Sequence, residues 1–254
     1  MHGEPGGAFF DLGFIPFEEA RIIQLGLLEA RVNGRVLLEC VLLCQHPSVL
    51  TLGRRGGMEH LLIPDQVLNR MGVRVVPTER GGLITYHGPG QLVVYPIFSL
   101  RRLGVSVVDY VWRIEETMIR TLSKWGIEAW REPRLGRGVW TEGGKIGSIG
   151  IAVRRGITFH GFSLNINGGM EGFSWINPCG IPSTSVTTME RILGRALVFP
   201  DVGKSIIREM EELFGIPLRE LPQGMLLEWI SVDRSGPRID RMEPHPRQES
   251  AKDE

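Results

Sequence analysis

Apolar positions along the first third of the chain recur at three- and four-residue spacing, then give way to short continuous runs. Residues 17–32 place Ala20, Ile23, Leu27 and Ala30 on one stripe with Leu28 alongside, and Asn33-Gly34 follows, so the pattern predicts an amphipathic helix. Residues 36–43 form a strand-length apolar run, and 48–52 continue it beyond a turn at Pro47. A short helix is predicted at 64–71, with Pro64 near its start, and a short strand at 73–76. Residues 92–98 read as a strand in which Pro96 points to an edge position or a strand end. The clearest helical stripe is Val107, Tyr110, Val111, Ile114, Met118 and Leu122 within 106–125, closed by Gly126. Residues 127–130 are a further strand candidate. Three consecutive strands are then predicted at 139–141, 145–154 and 157–166, with Arg155-Gly156 as a tight turn between the last two. Helices follow at 185–193 and 202–214, the second stopped by Gly215 and Pro217.

Strands and helices mix without a regular βαβ alternation, which predicts a single α+β domain over residues 1–232. A length of 254 residues is ample for its buried core. From about Asp233 onward, Pro237, Pro244 and Pro246 sit among scattered charges with few apolar residues, so 233–254 read as a mobile polar tail.

Composition narrows the function classes. With 29 basic and 29 acidic residues, no charge excess calls for nucleic acid or for a basic partner. The first seven residues lack a basic segment followed by an apolar one, and the most apolar run, 36–44, is interrupted by Glu39. The expectation is a soluble cytoplasmic protein without a membrane partner. Three cysteines cannot all pair, and the cytosol would keep them reduced.

Glycine adds more. Gly81, Gly82, Gly88 and Gly90 crowd one short stretch, and Gly136, Gly138, Gly143, Gly144, Gly147 and Gly150 another. Such clusters serve turns, and they also let backbone approach a ligand. Cys40 and Cys44 lie in the apolar run, on one strand face with Leu42 and His46, and read as core packing. A metal site there fits no common zinc spacing. Cys179 differs: it stands outside any periodic segment, in Asn177-Pro178-Cys179-Gly180-Ile181-Pro182. As a nucleophile it needs a base or cation beside it. Lys145, between glycines and ahead of a strand, is one candidate partner, although a lone lysine is ordinarily a solvated surface residue. His87 and His160, each followed by glycine, are others, or they satisfy buried backbone.

Several familiar sites are excluded. Gly144-Lys145 is followed by Ile146, and Val139 stands where a phosphate-binding loop needs its first glycine. No Gly-x-Gly-x-x-Gly leads from a strand into a helix. Ser148 has Ile146 two residues before it, so no nucleophile elbow is present.

Four ordered blocks carry a resemblance that spans residues 9–218. They are Arg80-Gly81-Gly82-Leu83-Ile84-Thr85-Tyr86-His87-Gly88-Pro89-Gly90-Gln91, Lys145-Ile146-Gly147-Ser148-Ile149-Gly150, Thr158-Phe159-His160-Gly161-Phe162-Ser163, and Pro178-Cys179-Gly180. In that order they resemble the motifs of the LipB octanoyltransferases. The resemblance implies the fold of biotin and lipoate protein ligase catalytic domains, a mixed sheet flanked by helices around a ligand tunnel. It also implies octanoyl transfer from octanoyl-acyl carrier protein to a lysine of lipoyl domains, in 2-oxoacid dehydrogenase E2 subunits or the glycine-cleavage H protein, with no cofactor and no metal. Carried over by position, Cys179 is the acyl-thioester nucleophile and Lys145 its activator. Arg80, Gly81, Gly82, Leu83, Ile84, Thr85, Tyr86 and His87 line the acyl site, completed by Ser148, Ile149, Gly150, Gly161, Phe162 and Ser163. Gly147 and Ser163 depart from an alanine frequent in relatives, which bears on the fit of the acyl chain. Two other readings share parts of the pattern: an ATP-dependent lipoate or biotin-type ligase, and a non-catalytic acyl-carrier or lipoyl-domain binding protein.

Overall fold

The computed structural model describes residues 6–177 and 185–231; the tail expected at 233–254 lies outside them. Ten strands and seven helices alternate irregularly: β1 (Gly7–Phe14), α1 (Phe17–Val32), β2 (Glu39–Gln45), β3 (Val49–Leu52), α2 (Asp65–Arg70), β4 (Arg74–Pro77), β5 (Thr85–His87), β6 (Gln91–Ile97), α3 (Leu100–Leu103), α4 (Val107–Lys124), β7 (Gly138–Thr141), β8 (Gly144–Arg154), β9 (Ile157–Asn165), α5 (Met189–Leu193), α6 (Phe199–Phe214), β10 (Leu218–Glu220) and α7 (Gln223–Ser231). Seven strands form one mixed sheet in the order β10-β1-β2-β6-β9-β8-β7, and three form a smaller sheet, β4-β3-β5. The α+β expectation holds.

Period-two alternation divides the large sheet between two cores. Val41 and Leu43 of β2 face the side covered by α4 and α6, with Ile114, Met118, Val202 and Ile206. Cys40, Leu42 and Cys44 face the other side, with Leu27 and Leu28 of α1 and Leu226 of α7. Both cysteines are thus packing residues, as their strand-face pattern implied. A third, smaller core lies under the three-stranded sheet, around Leu50, Leu68, Tyr86 and Phe173. Among the described residues no helix is long and apolar enough to cross a membrane.

The α4 stripe begins at a capping box: Ser106 Oγ accepts the Asp109 N–H at 3.1 Å, and the Asp109 carboxylate accepts from the Ser106 N–H and hydroxyl. β8 and β9 are joined by Arg155-Gly156, whose φ values of 49° and 78° are both positive, as the primed hairpin turns require.

Of the two positions expected for Pro96 it takes the strand end, one residue from the end of β6, although that strand is interior, between β2 and β9. It is tolerated because β6–β9 pairing stops at Val94↔Phe162. Beyond that pair the Thr158 hydroxyl takes over, donating to the Pro96 carbonyl and accepting from the Phe98 N–H, each at 2.9 Å. Residues 127–130 form no strand and make a single bridge, Trp130↔Trp140. The helix expected at 185–193 is confined to α5. Its first part stays extended because Ser185 and Thr187 bond to the backbone of Lys145 in β8.

Where β6 and β9 part, His160 adopts φ +53° and Gly161 follows it. A Cβ on Gly161 would strike the Val94 carbonyl and come within 2.8 Å of Pro96 Cδ. Gly161→Ala is therefore expected to destabilise the fold by about 1–3 kcal/mol, the usual range for overpacking, measured as a lowered denaturant midpoint with an unchanged slope.

Candidate active site

Parting of the β6–β9 ladder and the long β8–β9 hairpin leave a cavity of about 500 Å³ over the sheet, within the size range of small-ligand sites. The glycine-rich stretch before β5 lines one side with Arg80, Gly81, Gly82, Leu83, Ile84 and Thr85, together with His87. The hairpin supplies Lys145, Ser148, Ile149 and Gly150 from β8 and Gly161, Phe162 and Ser163 from β9. Residues of the first three motif blocks named above, spread from Arg80 to Ser163 in the chain, thus converge on one space. Tyr86 does not join them. Alternation along β5 turns its ring the other way, against Phe173 and Trp175, with its hydroxyl 2.9 Å from Ser48 Oγ. Cys179 lies outside the described residues. The chain on either side of it is fixed: the Asn177 N–H donates to the His60 carbonyl at 2.9 Å, and Ser185 is held against β8.

Lys145 is the second residue of β8 and is only 2% exposed. Its N–H donates to the Ser185 carbonyl at 2.9 Å, and its carbonyl accepts the Thr187 N–H at 3.0 Å. Its ammonium donates to the carbonyl of Arg137 at 3.1 Å and lies 5.3 Å from the centre of the Trp140 ring. That carbonyl belongs to a segment, 131–138, gathered by buried Glu115 of α4. Glu115 accepts the Gly138 N–H at 3.3 Å and the Arg131 Nε–H at 3.2 Å, and stands 3.7 Å from Arg137 Nη1. Gly138 has φ +130°, and a Cβ there would strike the Gly147 carbonyl and come within 3.0 Å of Lys145 Cε. Glycine at 138 thus lets β7 approach the β8 backbone at Gly147 and, beside it, the lysine stem, which accounts for one member of the second glycine cluster.

Arg80 is turned inward. Its guanidinium donates to the Thr51 carbonyl at 2.5 Å, to Thr51 Oγ1 at 2.8 Å and to the Gly81 carbonyl at 3.1 Å. In the site it shapes the glycine stretch. His87 is buried and bonds through Nδ1 to Gln91 Oε1 at 2.6 Å. Gln91 donates its amide to Asn165 Oδ1, and Asn165 donates to the Thr187 carbonyl, so the proton resides on His87 Nδ1. This buried relay ends on the segment that bonds Lys145. Burial, with His46 nearby, lowers the His87 pKa to about 3, and burial lowers that of His46 to about 4. His160 also lines the cavity. Burial lowers its pKa, opposed by Glu79, whose carboxylate accepts from Nε2 at 3.2 Å. In the other core, burial raises the Cys40 thiol to about 12 and raises Cys44 as well.

Sequence reasoning left out the cavity's deep wall, Phe17, Val93 and Tyr95, and its rim, Arg55 and Pro133 to Arg137. The wall reads only as core in a sequence. The rim carried a signal in Gly136 and Gly138, which belong to the same glycine cluster as the lysine.

The fold matches solved structures of one class. A putative lipoate protein ligase, Ta0514 from T. acidophilum, superposes with a TM-score of 0.68 at 15% identity, covering 89% of this chain and 95% of that one. A lipoate-protein ligase A bound with ATP gives 0.68 at 15%, covering 91% and 97%. The architecture is that of the lipoate and biotin protein ligase catalytic domains. Residues 24–211 match the lipoyl protein ligase A/B catalytic domain family. The octanoyltransferase of Desulfotalea psychrophila is 46% identical over 207 residues, covering 81% of this chain and 92% of that protein. That of Caldicellulosiruptor saccharolyticus is 43% identical over 222 residues, covering 87% and 94%. The chain belongs to the LipB octanoyltransferase family.

Two outcomes follow from the geometry. Glu115→Ala strips a buried carboxylate from Arg131, Arg137 and the Gly138 N–H, and should cost about 3–5 kcal/mol of stability in denaturant unfolding. The folded pKa values of His46 and His87 lie below the unfolded value of about 6.5. Their contribution to stability is therefore present above pH 6.5 and lost as pH falls toward 4 and 3. The melting temperature should drop over that interval, and His87→Gln should flatten part of the drop.

Proposed function

We propose that this octanoyltransferase moves an octanoyl group from octanoyl-acyl carrier protein to a lysine amine of lipoyl domains, in 2-oxoacid dehydrogenase E2 subunits and the glycine-cleavage H protein. The carrier of the group in between is Cys179, with Lys145 as its activator. Residues 1–232 are the catalytic domain and 233–254 an appended tail. The observation that carries the reading is the placement of Lys145: a buried ammonium at the cavity, on a strand whose neighbour, Ser185, re-enters six residues after Cys179.

In the first half-reaction the Cys179 sulfur attacks the thioester carbonyl carbon. A C–S bond to the enzyme forms, the C–S bond to the carrier's pantetheine breaks, and the departing thiolate takes up a proton. In the second, the acceptor lysine attacks as a neutral amine, loses a proton, and expels the Cys179 thiolate to leave an amide. Lys145 holds the thiolate by its charge and handles the proton in both halves. Exchange of a thioester for an amide runs downhill, so no nucleotide is consumed. The apolar part of the lining, Leu83, Ile84, Ile149 and Phe162, suits a hydrocarbon chain, each buried methylene of which adds about 0.8 kcal/mol.

Intact-mass spectrometry after mixing with octanoyl-acyl carrier protein should show a gain of one octanoyl group, released by hydroxylamine and missing in Cys179→Ala. Lys145→Ala should form it about 10²–10⁴-fold more slowly. A wild-type protein that stays unmodified, and transfers octanoate only with ATP, would overturn the covalent reading in favour of a ligase.

A further inference from the structure

Among the described lining residues of the cavity, Arg55, Pro133, Arg134, Gly136 and Arg137 are the exposed ones. Three of those five are arginines, drawn from two segments far apart in the chain. Among the described lining residues Arg55, Arg80, Arg134, Arg137 and Lys145 are cationic and none is acidic, although the chain as a whole holds 29 residues of each sign. Arg80 is turned onto Thr51, and Arg137 stands by Glu115. Arg55 and Arg134 remain as the outward charges of the mouth. Their segments are held by backbone bonds, from the Arg55 N–H to the Gly82 carbonyl at 3.2 Å, and from the Leu135 N–H to the Glu132 carbonyl at 3.0 Å.

A hydrocarbon chain and an uncharged thioester give no reason for a field of one sign at this opening. An anion that stays outside while the chain goes in does. The donor has one: its thioester is carried on a pantetheine arm that joins the carrier through a phosphate. We infer that Arg55 and Arg134 bind the phosphate of the donor's phosphopantetheine arm at the cavity mouth, an inference that rests on the transferase reading above. Guanidinium groups suit the task, since their paired N–H donors match two phosphate oxygens. At an exposed site the attraction is weakened by salt.

Two small donors that differ only in the phosphate test it: octanoyl-4′-phosphopantetheine and octanoyl-pantetheine, each followed by the rate of octanoyl gain on the protein at low ionic strength. The wild-type protein should use the phosphorylated donor roughly 5–10-fold more efficiently in kcat/KM, as two exposed charge contacts allow. Arg55→Ala with Arg134→Ala should bring the ratio of the two kcat/KM values close to one, and Arg55→Lys with Arg134→Lys should keep part of it. A wild-type protein without preference, or an alanine variant that keeps it, overturns the assignment. So does a loss confined to octanoyl-acyl carrier protein, which would mean that the arginines meet the carrier's protein surface. A loss confined to delivery onto the lipoyl domain places them in the second step and overturns it equally. Failure of the wild-type protein to acquire octanoyl from any donor would instead remove the transferase reading, and this inference with it.

Discussion

An ammonium group taken out of water has to be met by oxygen and by little else, and around Lys145 that demand shapes three segments at once. Segment 131–138 brings the Arg137 carbonyl to the nitrogen, and Glu115 holds that segment by its Gly138 N–H and its arginines. Gly138 gives up a side chain so that β7 can close on the Gly147 carbonyl and the lysine stem. The backbone of Lys145 binds the extended residues 185–187, fixing where the chain resumes after Cys179. A buried charge without such partners would cost several kcal/mol. The lysine's position is thus a property of the sheet and of α4 together, and the cavity takes its shape from the same contacts.

The opposite end of the cavity depends on an interruption. A regular β6–β9 ladder would have run side chains across this space. With His160 at φ +53° and Gly161 beside it, the ladder stops at Val94, and Thr158 satisfies the freed carbonyl of Pro96. The imidazole of His87 on the cavity wall, and that of His46 behind it, are held neutral by burial, and each has an oxygen to bond, Gln91 Oε1 for the first and the Ile15 carbonyl for the second. An apolar chain can lie beside such groups, because a neutral, hydrogen-bonded imidazole asks nothing of it.

Most of the long elements were legible in the sequence because their burial is one-sided. The α1 stripe ends where Asn33 and Gly34 say it should, and the β8–β9 hairpin turns at Arg155-Gly156. What could not be read was set by neighbours distant in the chain. β1 and β10 have weak patterns of their own and exist because they pair with one another and with β2. Residues 185–188 look helical alone and are extended because Lys145 offers them a partner. In the site, the residues named from the first three motif blocks line the cavity except Tyr86, which the alternation of a three-residue strand sends to the far side. The rim was harder to see: arginines before a glycine look like any solvated loop until the glycine's neighbour proves to be the lysine.

The two buried cysteines have a consequence of a different kind. Cys40 and Cys44 are packed against α1 and α7, and burial holds their thiols protonated far above neutral pH. A thiol is a nucleophile only as its anion. The folded chain therefore withdraws two of its three thiols from reaction with an electrophile. On the covalent reading proposed above, selectivity for Cys179 would owe much to the silence of the other two thiols, and the core that secures the fold would also secure a single address for the acyl group.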